Sequence, residues 1–228
     1  MKIAVLGTGV VGKSLAGKLA SIGHDVALGT RDPAATLART ATGNFGDPPV
    51  ADLVKAQPSI SVRTFADAAA HGEVAILATG GGVTIAAAEA AGSGLDGKIV
   101  MDLSNPLDFS KGFPPTLSVC NDDSLGEQVQ RALPNAKVVK TLNTVNVSVM
   151  TDPGALPGGA DAHTLFVCGD DADAKARVTA LLGEWFGWRD VLDLGDITTA
   201  RGTEMYLPLW LRMMGAVGKP GFNIKVVR

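Results

Sequence analysis

The sequence predicts an α/β fold, a doubly wound parallel sheet followed by a small C-terminal α/β extension. Short apolar runs of strand length alternate with helical patterns through the first two-thirds of the chain. This alternation is typical of a parallel sheet that is covered on both faces. Beyond Pro153 a segment rich in glycine and proline precedes a further strand, helix and strand. We therefore predict a large domain over residues 1–150 and a small domain over residues 151–228.

Apolar runs bounded by turn residues identify the strands, and 3.6-residue periodicity with capping residues identifies the helices. Gly23 ends the first helix, and Asp32-Pro33 begins another as N-cap and first-turn proline. The region 42–59 has no clear period and is predicted to be a loop with room for one short helix. Predicted strands cover residues 2–6, 25–28, 62–65, 73–78, 98–103, 137–142, 164–167 and 190–194; predicted helices cover 10–22, 124–133 and 172–186, with others starting at Asp32 and near Val83.

The last long element is a helix over residues 203–215 that is apolar nearly all round and interrupted by Pro208. Such a helix must be buried, either between the two domains or against another subunit. An apolar stripe that includes Trp210, Met213 and Met214 is more often core or subunit interface than ligand pocket. We favour the interface.

The bulk composition excludes several classes of protein. The formal net charge of −3 gives no reason to expect binding to nucleic acid or to an anionic membrane. No apolar run reaches the roughly 18 residues of a membrane span, and Met1-Lys2 leads directly into a strand, so we expect a cytoplasmic protein without a signal peptide. Cys120 and Cys168 are far apart and lack the spacing of metal ligands, so both are predicted to be ordinary thiols.

A G-x-G-x-x-G motif lies where the first strand ends and the first helix begins, within a unit of about 30 residues that a second strand closes. In this setting the first glycine permits a tight turn, the second lets the backbone approach a pyrophosphate, and the third lets helix and strand pack closely. The helix N-terminus adds free amides and a positive dipole end. These features predict a dinucleotide site in a Rossmann-type domain. The motif consists of Gly7, Thr8, Gly9, Val10, Val11 and Gly12.

The end of the second strand indicates which dinucleotide is bound. A site for NAD places an acidic residue there, which accepts from the adenosine ribose. This sequence has Thr30 and Arg31 instead, a hydroxyl and a guanidinium that would hold a 2′-phosphate by charge-assisted hydrogen bonds. Asp32 is better explained as the helix cap before Pro33. The sequence therefore predicts NADP(H).

Ligands of such sheets bind outside the carboxyl ends of the strands. Small and amide-bearing residues follow three predicted strands, and they suit a nicotinamide riboside that lies close to the backbone. These candidate cofactor-binding residues are Ala78, Thr79 and Gly80 after one strand, Asn105 and Pro106 after the next, and Leu142 and Asn143 after a third.

Residues for acid–base or nucleophilic catalysis are not evident in the sequence. We find no G-x-S-x-G, no H-E-x-x-H and no Cys–His arrangement, and the pairs Asp122-Asp123 and Asp170-Asp171 have the positions of helix caps. Direct hydride transfer requires no acid or base from the protein, only donor and acceptor carbons about 3–3.5 Å apart and the exclusion of water. We therefore predict an oxidoreductase with no catalytic side chain and no metal.

Three segments resemble those of the coenzyme F420-dependent NADP oxidoreductases: residues 2–33, residues 140–153 (KTLNTVNVSVMTDP) and residues 206–228 (YLPLWLRMMGAVGKPGFNIKVVR). The resemblance implies reversible hydride transfer between NADP(H) and the deazaflavin F420 in a homodimer, with a small C-terminal domain. It also implies roles for residues. Thr8, Gly9, Val10 and Val11 would contact the pyrophosphate, Thr30 and Arg31 the 2′-phosphate, and Ala78, Asn105 and Leu142 the nicotinamide side, while Leu207, Trp210 and Met213 would wall the deazaflavin pocket.

Two alternatives stay open. The N-terminal domain is also similar to that of the pyrroline-carboxylate reductases and to the nucleotide-binding domain of membrane ferric reductases, which pass hydride to a flavin. The chain could thus be an NADPH-dependent reductase of another acceptor, either a flavin or a small carbonyl or imine compound. The second alternative, of a different class, is a non-catalytic module that senses NADPH.

Overall fold

The computed structural model describes residues 1–43 and 46–228, and it is built on a single large sheet. Within the described residues this sheet has eight strands in the order β10-β9-β8-β5-β4-β1-β2-β3, and all neighbours are parallel except β8 and β9. Its strands are β1 (Lys2–Leu6), β2 (Asp25–Thr30), β3 (Ile60–Thr64), β4 (Val74–Leu77), β5 (Ile99–Asp102), β8 (Lys137–Thr141), β9 (Leu165–Cys168) and β10 (Val191–Asp193), while β6 (Leu107–Asp108) and β7 (Thr116–Leu117) form a separate antiparallel pair.

Helices connect the strands and cover both faces of the sheet. Several begin at a side-chain cap, and Asp32 accepts from the Ala35 amide at 2.9 Å, which confirms its predicted role as a cap. The α-helices are α1 (Val10–Ser21), α2 (Pro33–Leu37), α3 (Val50–Ala56), α4 (Phe65–His71), α5 (Gly81–Ala91), α6 (Leu125–Ala132), α7 (Val147–Thr151), α8 (Ala172–Phe186), α9 (Ala200–Met205) and α10 (Leu207–Val217).

Alternation along the central strand β1 divides the core into two layers. Ile3 and Val5 point to one face, where α1 and α8 pack, and Ala4 and Leu6 point to the other, where α4 and α5 pack. All four side chains are fully buried, as expected for a strand inside a sheet with helices on both faces. The predicted doubly wound α/β fold is confirmed.

The C-terminal part of the chain extends the same sheet. Strand β9 pairs antiparallel with β8, with Lys140 opposite Cys168, and β10 then pairs parallel with β9. The predicted domain boundary at residue 150 therefore falls between β8 and β9, two strands that pair directly with each other, and the division into two domains stays a prediction.

Local differences from the predicted elements have simple causes. The strand predicted over 62–65 runs instead over Ile60–Thr64, because the Thr64 hydroxyl accepts from the Asp67 amide and starts the short helix α4. Helix α3 lies in the predicted loop 42–59, whose residues 44 and 45 are outside the described part of the chain.

The predicted apolar helix over 203–215 is two helices, α9 and α10, that meet next to Pro208. In this chain Leu207 and Trp210 are buried, whereas the side chains of Leu209 and Val217 are more than half exposed. The predicted burial is thus present on one face of α10 only. None of the described helices is long and apolar enough to cross a membrane.

Candidate functional site

The turn between β1 and α1 has the geometry that the three glycines of the motif require. Gly7 has a φ of +127°, and a Cβ there would lie 2.5 Å from the carbonyl oxygen of Ala78. A Cβ on Gly12 would lie 2.0 Å from the carbonyl oxygen of Gly7. Neither position can hold a side chain without displacing backbone. A Cβ on Gly9 would meet nothing within 4 Å, so at this point the backbone borders open space.

The N-terminus of α1 faces that open space. Its N-cap residue is Gly9, which makes no side-chain capping hydrogen bond to the amides of the first turn. Such amides and the positive end of a 12-residue helix attract a phosphate group. Two cavities of about 760 and 490 Å³ meet here, and both are lined by Thr8, Gly9, Thr36, Arg39, Ala78, Thr79 and Gly80.

The end of β2 borders the smaller of these cavities. Thr30 is buried, and its hydroxyl oxygen is 2.9 Å from that of Thr36. Arg31 and Arg39 are exposed and line the cavity on the same side. Asp32 also lines it, although one oxygen of its carboxylate is bound to the Ala35 amide. Two arginines and two threonines therefore line one side of the same cavity.

Three of the polar residues around these cavities were not predicted from the sequence: Lys13, Thr36 and Arg39. Lys13 contacts the carbonyl oxygen of Pro48 and forms an ion pair with Asp47 at the edge of the larger cavity. Thr36 lies on the short helix α2 and Arg39 just beyond it. Thr36 and Arg39 reach the cavity only because of where α2 packs, and no residue pattern predicts that position. The sequence signal that was available is Arg39 itself, a second arginine soon after Arg31.

A third cavity, of about 790 Å³, lies at the carboxyl ends of β4, β5 and β8, and its lining is mostly apolar. Its volume is within the range of sites for small molecules and cofactors. Residues from the N-terminal and C-terminal parts of the chain line it together. They are Val10, Val11, Thr79, Gly80, Gly81, Gly82, Val83, Leu103, Asn105, Leu107, Phe109, Asn143, Thr144, Val145, Asn146, Val147, Met150, Leu207, Trp210 and Pro220.

Most of the residues predicted for the reaction end thus border this cavity, and four do not. Ala78 lines the two cavities at the glycine turn instead. Pro106 follows Asn105 but is not in the lining. Leu142 is buried behind the end of β8 with a φ of +60°, an unusual value for a residue with a side chain. Met213 is half-buried farther along α10.

Gly81 has a steric role at the edge of this cavity, because a Cβ there would lie 2.0 Å from the carbonyl oxygen of Asn105.

Two asparagines hold the strand ends of β5 and β8 together. The Asn105 amide nitrogen donates to the backbone oxygen of Asn143 at 2.8 Å, and the Asn143 amide nitrogen donates to Oδ1 of Asn105 at 3.0 Å. This reciprocal pair fixes the spacing of the two turns at the floor of the cavity.

A fully buried ion cluster lies behind these turns. The Lys140 ammonium is 3.0 Å from Oδ2 of Asp102, 2.7 Å from Oε1 of Glu204 and 2.6 Å from the carbonyl oxygen of Ser104. Burial opposes the charge, but the two carboxylates outweigh it and hold the pKa of Lys140 above its usual value. We define these three residues, Lys140, Asp102 and Glu204, as the ion cluster.

The ion cluster joins the C-terminal helices to the sheet. Glu204 on α9 accepts from the amides of Leu125 and Gly126 at 2.8 and 2.9 Å, and so caps α6. Asp102 accepts from the amide and hydroxyl of Ser104, the residue before Asn105. The sequence signals for such a cluster are Lys140 and Asp102, two charged residues within otherwise apolar strand segments. No comparable signal marks Glu204 on α9.

The described residues offer few groups for other chemistry. They contain no group of three or more His, Cys, Asp or Glu side chains that could hold a metal ion. Burial raises the pKa of the Cys168 thiol to about 11, so this sulfur stays protonated and is a poor nucleophile. A phosphate-binding turn, a basic pocket at one end and an apolar cavity at the other define a dinucleotide-binding protein of the Rossmann class.

Comparison with known proteins specifies the class further. Residues 2–106 match the family model described as "NADP oxidoreductase coenzyme F420-dependent". The F420-dependent NADP reductase of Methanothermobacter marburgensis is 30% identical over 217 residues, which cover 93% of this chain and 92% of that protein. The chain belongs to the F420-dependent NADP oxidoreductase family and is an oxidoreductase, which confirms the resemblance found in the sequence.

Two further similarities bear on the fold and on the alternatives. A crystal structure from Arthrobacter sp. FB24, whose assignment as an F420-dependent NADP reductase is provisional, is 55% identical with a TM-score of 0.92 and covers 100% of both chains. The metalloreductase STEAP3 of Rattus norvegicus is 26% identical over 213 residues, which cover 92% of this chain and only 38% of that protein.

Proposed function

We propose that this protein transfers hydride reversibly between NADP(H) and the deazaflavin coenzyme F420. One observation carries the proposal: the basic pocket beside Thr30 and Arg31, the glycine turn and the apolar cavity adjoin one another along one edge of the sheet. A dinucleotide bound with its 2′-phosphate at the first and its pyrophosphate at the second would have its nicotinamide in the third. Membership of the family supports F420 as the partner.

The residues at the phosphate end fit NADP(H). Open space at Gly9 and the uncapped amides of α1 suit a pyrophosphate. Arg31 and Arg39 supply two positive charges beside the Thr30 and Thr36 hydroxyls, which suits a dianionic 2′-phosphate and would add little for the plain ribose of NAD. The absence of a carboxylate at Thr30 supports the same choice.

The cavity at the reaction end fits a second ring system. Thr79, Gly80 and Asn105 come from the sheet edge, whereas Leu207 and Trp210 come from α10. When bound, NADPH supplies the hydride, and F420 accepts it together with one proton from water. The protein's own contribution is to orient both rings and to exclude water from between them with apolar walls. Residues 151–228 provide the second wall, which is the role we propose for the C-terminal domain.

We propose that the protein works as a cytoplasmic homodimer. Met205 at the end of α9 and Leu209 and Val217 on α10 are exposed apolar side chains, which a second subunit would cover. The two cysteines are free thiols, in keeping with a reducing compartment.

A mixing assay tests the function. Purified protein with NADPH and oxidised F420 should bleach the deazaflavin absorbance, and the reverse mixture should restore it. Reduction of a flavin or an imine without reduction of F420 would favour a reductase of another acceptor. NADPH binding without turnover on any acceptor would favour a sensing module.

Substituting Arg31 tests the cofactor end. Arg31→Ala should weaken NADPH by about 1.5–3 kcal/mol, the scale of a hydrogen bond to a charged group, and leave NADH nearly unchanged. Calorimetric titration with both nucleotides measures the difference, and NADH serves as the internal control. Equal losses for the two nucleotides would contradict the placement of the 2′-phosphate beside Arg31.

A further inference from the structure

The apolar cavity has a buried interior and a mouth that is open to solvent. Most of the large apolar side chains in its lining are buried: Leu103, Val145, Met150, Leu207 and Trp210. Three apolar residues of the same lining are exposed instead, namely Val83 on the first turn of α5, Phe109 directly after β6, and Pro220 after α10. We define these three residues as the mouth of the cavity. Phe109 is the largest of them and carries the only aromatic ring among the three.

Hydrogen bonds fix the backbone on both sides of Phe109. The carboxylate of Asp108, the last residue of β6, accepts from the amide and the hydroxyl of Ser110 at 2.8 and 2.9 Å. The carbonyl oxygen of Phe109 accepts from the Gly112 amide at 2.9 Å and closes a turn. The residue is nevertheless 59% exposed, so the backbone is held in place while much of the side chain stays in water.

Exposure alone would not assign a role to this ring. Single apolar residues are common on protein surfaces and need no explanation. Phe113 is an example, because it lies in the same loop, is 69% exposed and does not line the cavity. Phe109 differs from it in bordering an apolar cavity of about 790 Å³. A ligand that fills this cavity as far as the mouth would cover the ring, and covering aromatic surface favours binding.

We propose that Phe109 packs against the outer part of the second redox substrate, and that it selects a fused tricyclic heteroaromatic ring that extends from the buried interior to the mouth. This inference rests on the proposed function, because it assumes that the hydride acceptor occupies this cavity. A deazaflavin has such a ring. A small imine or carbonyl compound would fit within the interior and leave Phe109 in water. The ring of Phe109 therefore favours the larger acceptor.

Three variants test the contact, and the chain supplies the matched control. Phe109→Ala removes the ring, Phe109→Tyr keeps it, and Phe113→Ala removes the neighbouring exposed ring that does not line the cavity. We expect Phe109→Ala to raise the Kd for F420 in equilibrium dialysis about tenfold, the scale of a lost aromatic contact, and the other two variants to change it less than about twofold. Equal weakening by Phe109→Ala and Phe113→Ala would overturn the proposal, since the loop as a whole would then be responsible.

The affinity for NADPH provides an internal control. Phe109 lines neither of the two cavities at the glycine turn, so the Kd for NADPH should change less than about twofold in all three variants. A loss of NADPH affinity in Phe109→Ala as large as the loss for F420 would overturn the assignment of this ring to the second substrate.

Two measurements on the free protein separate a role in binding from a role in folding or assembly. Because Phe109 is mostly exposed, Phe109→Ala should change the Tm by less than about 2 °C. Its sedimentation coefficient should match that of wild type. A Tm several degrees lower would mean that the ring supports the fold, and a shift towards a smaller species would mean that it belongs to a subunit contact. Either result would overturn the proposal.

The same dialysis, combined with the mixing assay, separates this inference from the proposed function. If wild type reduces F420 and Phe109→Ala matches it in Kd and kcat/KM, the role of Phe109 fails and the function stands. If wild type binds F420 without reducing it and Phe109→Ala binds it about tenfold more weakly, the function fails and the role of Phe109 stands. If wild type neither binds nor reduces F420, both are overturned.

Discussion

The phosphate end and the reaction end of the proposed cofactor site are built in different ways. The phosphate end is mostly one continuous piece of chain, β1, the glycine turn and α1, completed by the end of β2, and its binding groups are largely backbone amides. The reaction end is assembled from segments between Val10 and Pro220, and it relies on side-chain hydrogen bonds and the buried ion cluster. A local site depends on glycine positions, whereas an assembled site depends on tertiary contacts far from the ligand.

The largest expected effect is the loss of stability on removing the lysine of the ion cluster, which should affect the reaction end more than the phosphate end. Lys140→Met leaves the buried carboxylates of Asp102 and Glu204 without their cation and should lower the free energy of unfolding by about 3–5 kcal/mol. Urea denaturation measures this loss. Because Lys140 also holds the carbonyl oxygen of Ser104, the variant that remains folded should lose activity with F420 more than affinity for NADPH.

Strand β8 provides the matched control. Lys137 is half-exposed, and its ammonium is 2.9 Å from a carboxylate oxygen of the partly exposed Asp171. Lys137→Met should cost less than about 1 kcal/mol, as surface ion pairs do. Similar losses of unfolding free energy in Lys140→Met and Lys137→Met would mean that the ion cluster does not stabilise the reaction end.

An intermediate effect is expected at the phosphate end, where two neighbouring glycines should behave differently. Gly12→Ala places a Cβ 2.0 Å from the carbonyl oxygen of Gly7, so α1 must shift, and stability should fall by about 1–3 kcal/mol. Gly9→Ala meets no protein atom within 4 Å, so its stability should be unchanged while its affinity for NADPH falls. Calorimetry and thermal unfolding of both variants test this, and an equal loss of stability at the two positions would contradict the assignment of Gly9 to the ligand.

The same contrast explains what could be predicted from the sequence. The glycine motif, the Asp32 cap and the alternation of Ile3 and Ala4 between faces each depend on neighbours in the chain, so a pattern over a few residues reveals them. The fold class and the family followed from such patterns. Helix α4 was missed because a seven-residue helix after a strand leaves little periodicity to detect.

The reaction end was only partly predictable for a physical reason. Residues at strand ends, such as Asn105 and Asn143, could be named because parallel strands end at the same edge. The contribution of Glu204 depends on where α9 packs after folding, and nothing near it in the chain specifies that. Met213 was predicted to wall the deazaflavin pocket but does not line the cavity, because packing decides which face of α10 is turned towards it.

The smallest predicted effect concerns the C-terminal tail beyond Phe222, the ring that stacks on Trp210. Asp190 binds Lys225 and Arg228 of this tail and the Thr164 hydroxyl, and these hydrogen bonds lower the pKa of its carboxyl to about 2. A lowered carboxyl pKa gives stability that is complete above the ordinary value near 4 and is lost as the pH falls through about 2. Asp190→Asn should therefore cost about 1 kcal/mol at neutral pH, the scale of ion pairs at a surface.

The pH dependence of the Asp190→Asn effect shows whether the C-terminal tail is held by the charge of Asp190. The difference in unfolding free energy between wild type and Asp190→Asn should shrink as the pH is lowered from about 5 towards 2, because the carboxylate that the variant lacks is then protonated in wild type as well. Urea titrations at several pH values measure that difference. At neutral pH the variant should also weaken F420 binding slightly and leave NADPH binding intact. The Phe222 ring just before the tail stacks on Trp210, which borders the apolar cavity and not the two cavities at the glycine turn. If the difference in unfolding free energy stayed constant with pH, the charge of Asp190 would not anchor the tail.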